Sequence, residues 1–262
     1  MDWQLIWTAS GASFAAGMAT TVGALPVLAI RSISPRLQSA FLGFSAGVML
    51  AASFFSLIIP GLEAVAEQGG TPTTAALVIC AAILLGGIVL QTVNRYAPHD
   101  VFTSRAGAGV GASVSTLRRI WLFVIAITLH NFPEGLAVGV SFGGGAIDNG
   151  TATAIGIGLQ NIPEGLAVAV SLASVGYSRL YAFVAAMLTG LVEPIGGFLG
   201  IAAVSIAEPL LPWGLGFAAG AMIWVVTSEI TPEMHRERRQ EMATGALMFG
   251  LALMLFLDWT LG

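Results

Sequence analysis

Between Leu129 and Leu172 the chain reads His-Asn-Phe-Pro-Glu-Gly-Leu-Ala-Val-Gly-Val-Ser (130–141) and, thirty residues on, Gln-Asn-Ile-Pro-Glu-Gly-Leu-Ala-Val-Ala-Val-Ser (160–171). Each copy sets a carboxylate, a proline and polar neighbours inside an apolar run of membrane length. An ionisable residue in such a run marks a functional site by default. The remainder of the sequence reads as the setting for this pair.

That setting is a membrane. Of 262 residues, 56% are hydrophobic and only 9% charged, with a mean hydropathy of +0.87. A soluble domain carries roughly 25% charged residues, so this chain cannot cover a water-facing surface. The fold class that follows is all-α, a single polytopic transmembrane domain. Eight apolar segments lie near 3–30, 37–60, 73–95, 119–143, 150–175, 180–206, 210–230 and 240–261, each long enough to span a bilayer at ~20 residues per span. Turn chemistry separates them: Ser34-Pro35, Gly69-Gly70-Thr71-Pro72, Gly143-Gly144-Gly145, Glu208-Pro209 and Thr231-Pro232. Residues 96–118, rich in Gly, Ala and Ser, read as a flexible cytoplasmic loop. The start, Met1-Asp2-Trp3-Gln4, lacks the basic region of a cleavable signal, so the first run is expected to stay as a helix. Cys80 is the single cysteine, which excludes an internal disulfide and a thiolate cluster.

Charge orients the spans. All ten basic residues are arginines, and with eight alternating spans all ten fall on one side: Arg31 and Arg36; Arg95, Arg105, Arg118 and Arg119; Arg179; and Arg236, Arg238 and Arg239. The other side holds Asp2, Glu63, Glu67, Asp148, Glu208 and Asp258. The positive-inside rule places the arginines in the cytoplasm and both termini outside, in the cell (inner) membrane. Seven or nine spans would scramble the sorting. Glu63 and Asp258 are candidates for an entrance that concentrates cations, although solvated loop caps would look the same.

Segments four and five centre on the two motifs, so both lie at the bilayer midplane. A short outer loop makes these helices antiparallel, and a repeated motif on antiparallel neighbours points to a pseudo-two-fold axis in the membrane plane, an inverted repeat. Within each copy, His130 and Glu134 are four residues apart and share one helix face, with Asn131 on its flank; Gln160, Asn161 and Glu164 repeat this. Pro133 and Pro163 disturb the carbonyls of Leu129 and Leu159, which then need a partner such as a cation or water. Gly135 and Gly165 leave room beside each glutamate for another backbone.

Segment six adds Glu193, followed by Pro194, at the same depth. Three glutamates in low dielectric repel one another, and a divalent cation that binds in exchange for protons relieves the repulsion. Oxygen ligands with one imidazole suit Zn²⁺, Fe²⁺, Mn²⁺ or Cd²⁺ better than Cu⁺. Asn131 and Asn161 serve equally well as hydrogen-bond glue between helices, and Met49 as core filler or soft ligand.

At these residues the chain resembles the ZIP (Zrt/Irt-like) family of divalent metal transporters, bacterial type. The resemblance rests on His130-Asn131-x-Pro133-Glu134-Gly135, Asn161-x-Pro163-Glu164-Gly165 and Glu193-Pro194, with weaker support from Gly43-Phe44-Ser45-Ala46-Gly47 through Pro60-Gly61 and from Glu229-x-x-Pro232-Glu233. It implies uptake of metal into the cytoplasm through a two-metal centre. His130, Glu134, Gln160 and Glu164 would line one site, and Asn131, Glu134, Asn161, Glu164 and Glu193 its neighbour. It also implies that helices one, four, five and six move against the others, and a homodimer. The expected partners are divalent metal ions and the lipid bilayer, with no nucleic acid; zinc or a similar metal is cargo rather than cofactor.

Three departures stand out. Gln160 replaces a histidine found in many members, and Asn161 an aspartate found in some bacterial ones. The third loop offers only His99-Asp100 in place of a histidine-rich tract. His99, Ser228, Glu229, Glu233 and His235 form a candidate cytoplasmic release path, or are solvated loop residues. Two other functions compete with metal transport. A proton- or sodium-coupled carrier of another substrate would use paired midplane acids equally well. An intramembrane metalloprotease needs His-Glu-x-x-His, and this chain has Asn131 at the Glu position and Glu134 at the second His. No P-loop is present, so transport is expected to be secondary.

Overall fold

Several helices start where a side chain satisfies their free backbone N–H groups. Asp2 accepts from Gln4 N and Leu5 N at 2.9 and 3.2 Å. Ser34 accepts from Leu37 N at 3.3 Å ahead of Pro35, and Ser178 from Tyr181 N at 3.2 Å. Gly69 (φ +84°) and Gly176 (φ +108°) turn the chain where a side chain would be strained. In the computed structural model, which describes residues 2–30, 32–96, 114–234 and 240–261, eight helices are long and apolar enough to cross a membrane: α1 (Trp3–Leu28), α2 (Arg36–Glu67), α3 (Pro72–Tyr96), α4 (Thr116–Ser141), α5 (Ile147–Ser174), α6 (Arg179–Ile206), α7 (Leu211–Ser228) and α8 (Glu241–Leu261). No strand occurs among the described residues. Most of the loop expected over 96–118, with His99, and likewise His235 lie outside the described residues.

Two helices widen where a proline interrupts the ladder. In α2 the stretch Ala52–Ile58 is π-helical and Pro60 follows it, and the helix runs on past the segment end expected near residue 60 to Glu67. Proline removes one ladder donor and displaces the carbonyl four residues back. Here that carbonyl is Ser56 O, and Asn149 Nδ2 donates to it at 3.3 Å. In α7 the π stretch is Val226–Ile230, followed by Pro232. Thr231 donates to Val226 O twice, from its backbone N–H and from Oγ1 at 2.7 Å.

The helices pair as α1 with α5, α4 with α6, α2 with α8 and α3 with α7. One two-fold operation, exchanging α1–α3 with α6–α8 and α4 with α5, maps this set onto itself. The sequence carries the trace in Leu42-Gly-Phe-Ser-Ala-Gly-Val-Met49 and Leu215-Gly-Phe-Ala-Ala-Gly-Ala-Met222. The packing repeats it. A Cβ on Gly47 would strike Leu247 O in α8, and one on Gly220 would strike Ile83 O in α3. Equivalent helices run in opposite directions, so the repeat is inverted.

The helix ends sort by chemistry. At one end Glu63, Glu67, Asn149 and Asp258 line a cavity of about 620 Å³ between α2, α5, α7 and α8. At the other, Arg179 Nη1 donates to Leu28 O at 3.1 Å and ties the end of α1 to the start of α6. The outer surface is apolar: Leu77, Leu84 and Ile88 of α3 and Phe249 and Phe256 of α8 are all exposed. Exposed apolar area on this scale belongs against lipid. The protein is a multi-pass membrane protein.

Candidate metal centre

α4 and α5 carry the doubled motif through Pro133 and Pro163 without breaking. α6 does break. Its first half ends at Gly190, Leu191 and Val192 form a turn, and a second half starts at Glu193-Pro194. Glu193 therefore stands in the first turn of a half-helix, where the helix dipole favours an anion. Discontinuous helices are a recurrent device for building transport sites. Gly190 and Pro194, bracketing the break, were the sequence signal for it.

Two glycine-mediated contacts and two serine hydrogen bonds bring the elements together. A Cβ on Gly135 would strike Glu193 O, and one on Gly165 would strike Thr20 O, so the room expected beside each glutamate is filled by α6 and α1. Ser13 Oγ donates to Glu193 O at 2.9 Å from α1. Ser45 Oγ, on α2, donates to Gln160 O at 3.2 Å.

The centre is dry. His130, Asn131, Glu134, Gln160, Asn161, Glu164 and Glu193 are all at most 3% exposed. Gln160 Nε2 donates to Glu134 Oε1. Asn161 Nδ2 donates to Glu193 Oε1 at 2.6 Å and to Ala16 O at 2.9 Å. Many polar atoms of the centre have no such partner: both nitrogens of His130, both amide atoms of Asn131, both oxygens of Glu164, and one oxygen each of Glu134, Gln160, Asn161 and Glu193. Ten of the twelve buried side-chain polar atoms left unpartnered among the described residues belong to these seven side chains. An unmet buried polar group costs about 1–3 kcal/mol, so their concentration at one place points to a ligand that meets them together. Among the described residues no three His, Cys, Asp or Glu side chains already converge on one point. The donor set is instead mixed, with amides holding two of the three carboxylates.

The remaining sequence candidates lie on α2, on α8 and on or just after α7. Met49 is 1% exposed within the apolar core. Glu63 and Asp258 line the cavity together, and Asp258 Oδ1 accepts from Ser56 Oγ at 2.6 Å. Ser228 Oγ donates to Trp224 O. The backbone of Glu229 lies in the π stretch of α7, and that of Glu233 in the turn of helix after it; their side chains are outside the described residues. Sequence reasoning passed over Ser13 and Ser56 and took Ser45 only as part of the Gly43–Gly47 stretch, because an isolated serine in an apolar helix carries no periodic signal.

A family model described as ZIP Zinc transporter matches residues 104–258. The chain is 46% identical to the zinc transporter GufA of Myxococcus xanthus, over 96% of this chain and 98% of that one. It is 45% identical to the zinc transporter ZIPB of Bordetella bronchiseptica, over 95% and 80%. With the human zinc transporter ZIP11 it shares 32% identity over 96% of each chain.

Proposed function

The chain belongs to the ZIP zinc transporter family, and on that premise we propose that it takes up Zn²⁺ into the cytoplasm through the centre between α4, α5 and α6 at the bilayer midplane. Members of this family are membrane transporters, which disposes of the metalloprotease reading. The observation that carries the proposal is the cluster of unpartnered donor atoms on His130, Asn131, Glu134, Gln160, Asn161, Glu164 and Glu193.

The chemistry follows from the donor set. Glu134 and Glu164, one from each antiparallel helix, bridge the two halves of the centre. His130 supplies the one imidazole, and Gln160 faces it as a weaker neutral donor. The two amide-held carboxylates exchange an N–H partner for the cation as it arrives. Fe²⁺, Mn²⁺ and Cd²⁺ suit the same donors. The acidic cavity with Glu63 and Asp258 is the entrance and faces outside, as do both termini; the arginine-bearing ends face the cytoplasm. His99, Glu229 and His235 remain the proposed release path.

In proteoliposomes, Glu134→Ala and Glu164→Ala should each abolish Zn²⁺ flux while the protein keeps its helical content. Wild-type flux in both variants overturns the proposal. Equilibrium binding of Zn²⁺ with proton release, set against Na⁺, separates metal transport from a sodium- or proton-coupled carrier of another substrate.

A further inference from the structure

We propose that Thr20 is a further binding residue of this centre, lining it from α1 at the place Glu193 takes from α6; the assignment rests on the metal-transport reading above. Gly17-Met-Ala-Thr20-Thr-Val-Gly23 and Gly190-Leu-Val-Glu193-Pro-Ile-Gly196 share their glycine spacing, and the backbone carbonyl against each glycine of one has its mate in the other. A Cβ on Gly17 would strike Gly190 O, and one on Gly190 would strike Gly17 O. Gly23 abuts Ile162 O and Gly196 abuts Phe132 O, and Phe132 and Ile162 hold the same place in the doubled motif. Gly165 abuts Thr20 O and Gly135 abuts Glu193 O. The operation that carries α4 onto α5 therefore carries Thr20 onto Glu193. Even the side chains match: Glu193 Cβ lies 3.2 Å from the Cβ position of Gly17, and Thr20 Oγ1 lies 3.0 Å from that of Gly190.

The hydroxyl itself is unusual. Threonines inside these helices typically bond the carbonyl four residues back, as Thr128 does to Val124 O, Thr153 to Asn149 O and Thr227 to Ile223 O. Thr20 is 1% exposed and its Oγ1 has no partner. The asymmetry extends to its neighbour by symmetry. Asn161 reaches Glu193, whereas Asn131, the mate of Asn161, has both amide atoms unpartnered. A cation or its water shell on that side would meet Asn131 and Thr20 together. Thr20 thus supplies a neutral, hard oxygen where a fourth carboxylate would stand in a fully two-fold site.

The test uses the full chain in proteoliposomes, with Zn²⁺ and Cd²⁺ as probes and Thr20→Ser, Thr20→Val and Thr20→Cys in a Cys80→Ser background. Thr20→Ser should retain Zn²⁺ affinity, and Thr20→Val should weaken it about tenfold. Thr20→Cys puts a soft sulfur at the same place and should raise the Cd²⁺ to Zn²⁺ flux ratio about tenfold, since thiolates favour the softer ion. A role confined to helix packing would not move that ratio. If the wild type moves Zn²⁺ and all three variants keep its Zn²⁺ affinity and flux ratio, the assignment falls alone. If the wild type neither binds nor moves metal, the transport reading falls and takes this assignment with it.

Discussion

Helices α1, α4, α5 and α6 bury three glutamates, a histidine, three amides and unpartnered hydroxyls; helices α2, α3, α7 and α8, built on the same repeat, bury as polar side chains only four serines of α2 among the described residues. Both sets use one packing device, a glycine pressed against a neighbouring carbonyl. Close packing therefore does not distinguish them. What differs is which backbone each glycine receives. In the first set the carbonyls include those of Glu193 and Thr20, whereas in the second they belong to apolar residues such as Ile83 and Leu247. The same small-residue seam builds a site in one place and a wall in the other.

The sharpest way to break this comparison is to insert the same methyl group on both sides. Gly135→Ala and Gly220→Ala each drive a Cβ into a carbonyl, and each should destabilise by about 1–3 kcal/mol through overpacking. Only Gly135→Ala displaces Glu193, so only it should also abolish Zn²⁺ binding, as measured by calorimetry on purified protein. Equal loss of binding in both variants would mean that the second set is part of the centre. A smaller effect probes the inequality between the motif copies. Gln160→His supplies the missing imidazole and should tighten Zn²⁺ binding by about 1.4 kcal/mol, a tenfold change, whereas Met49→Leu should leave binding unaltered. Smallest is the effect at the contact between the sets. Ser45→Ala removes one donor to Gln160 O, worth about 1 kcal/mol, and should change flux a few-fold with Zn²⁺ affinity unchanged. A change in affinity instead would place α2 among the elements that shape the centre.

Much of this was legible in the sequence because the expensive residues announce themselves. Glu134, Glu164 and Glu193 can be found by asking which charges interrupt apolar runs. The eight spans follow from length and from the arginines. The break in α6 was not read, since Gly190 and Pro194 are each tolerable within a membrane helix and only together mark a stop and a restart. Nor were the π stretches, each of which ends two residues before a proline, Pro60 or Pro232. The longer repeat was hidden for a different reason. The copies Leu42–Met49 and Leu215–Met222 consist of small and apolar residues, which are common throughout a membrane chain, and Thr20 matches Glu193 in place but not in chemistry. That equivalence is visible only in which carbonyl each glycine touches.

The two-fold operation also exchanges the two faces of the membrane. A centre that obeyed it fully would look the same from outside and from the cytoplasm, and an ion resting there would have no chemical means of telling one direction from the other. In this chain the operation fails at His130 with Gln160 and, on the proposal that Thr20 lines the centre, at Glu193 with Thr20. Those substitutions give the centre a front and a back, so its handedness across the bilayer is written in its side chains while the backbone around it stays even-handed.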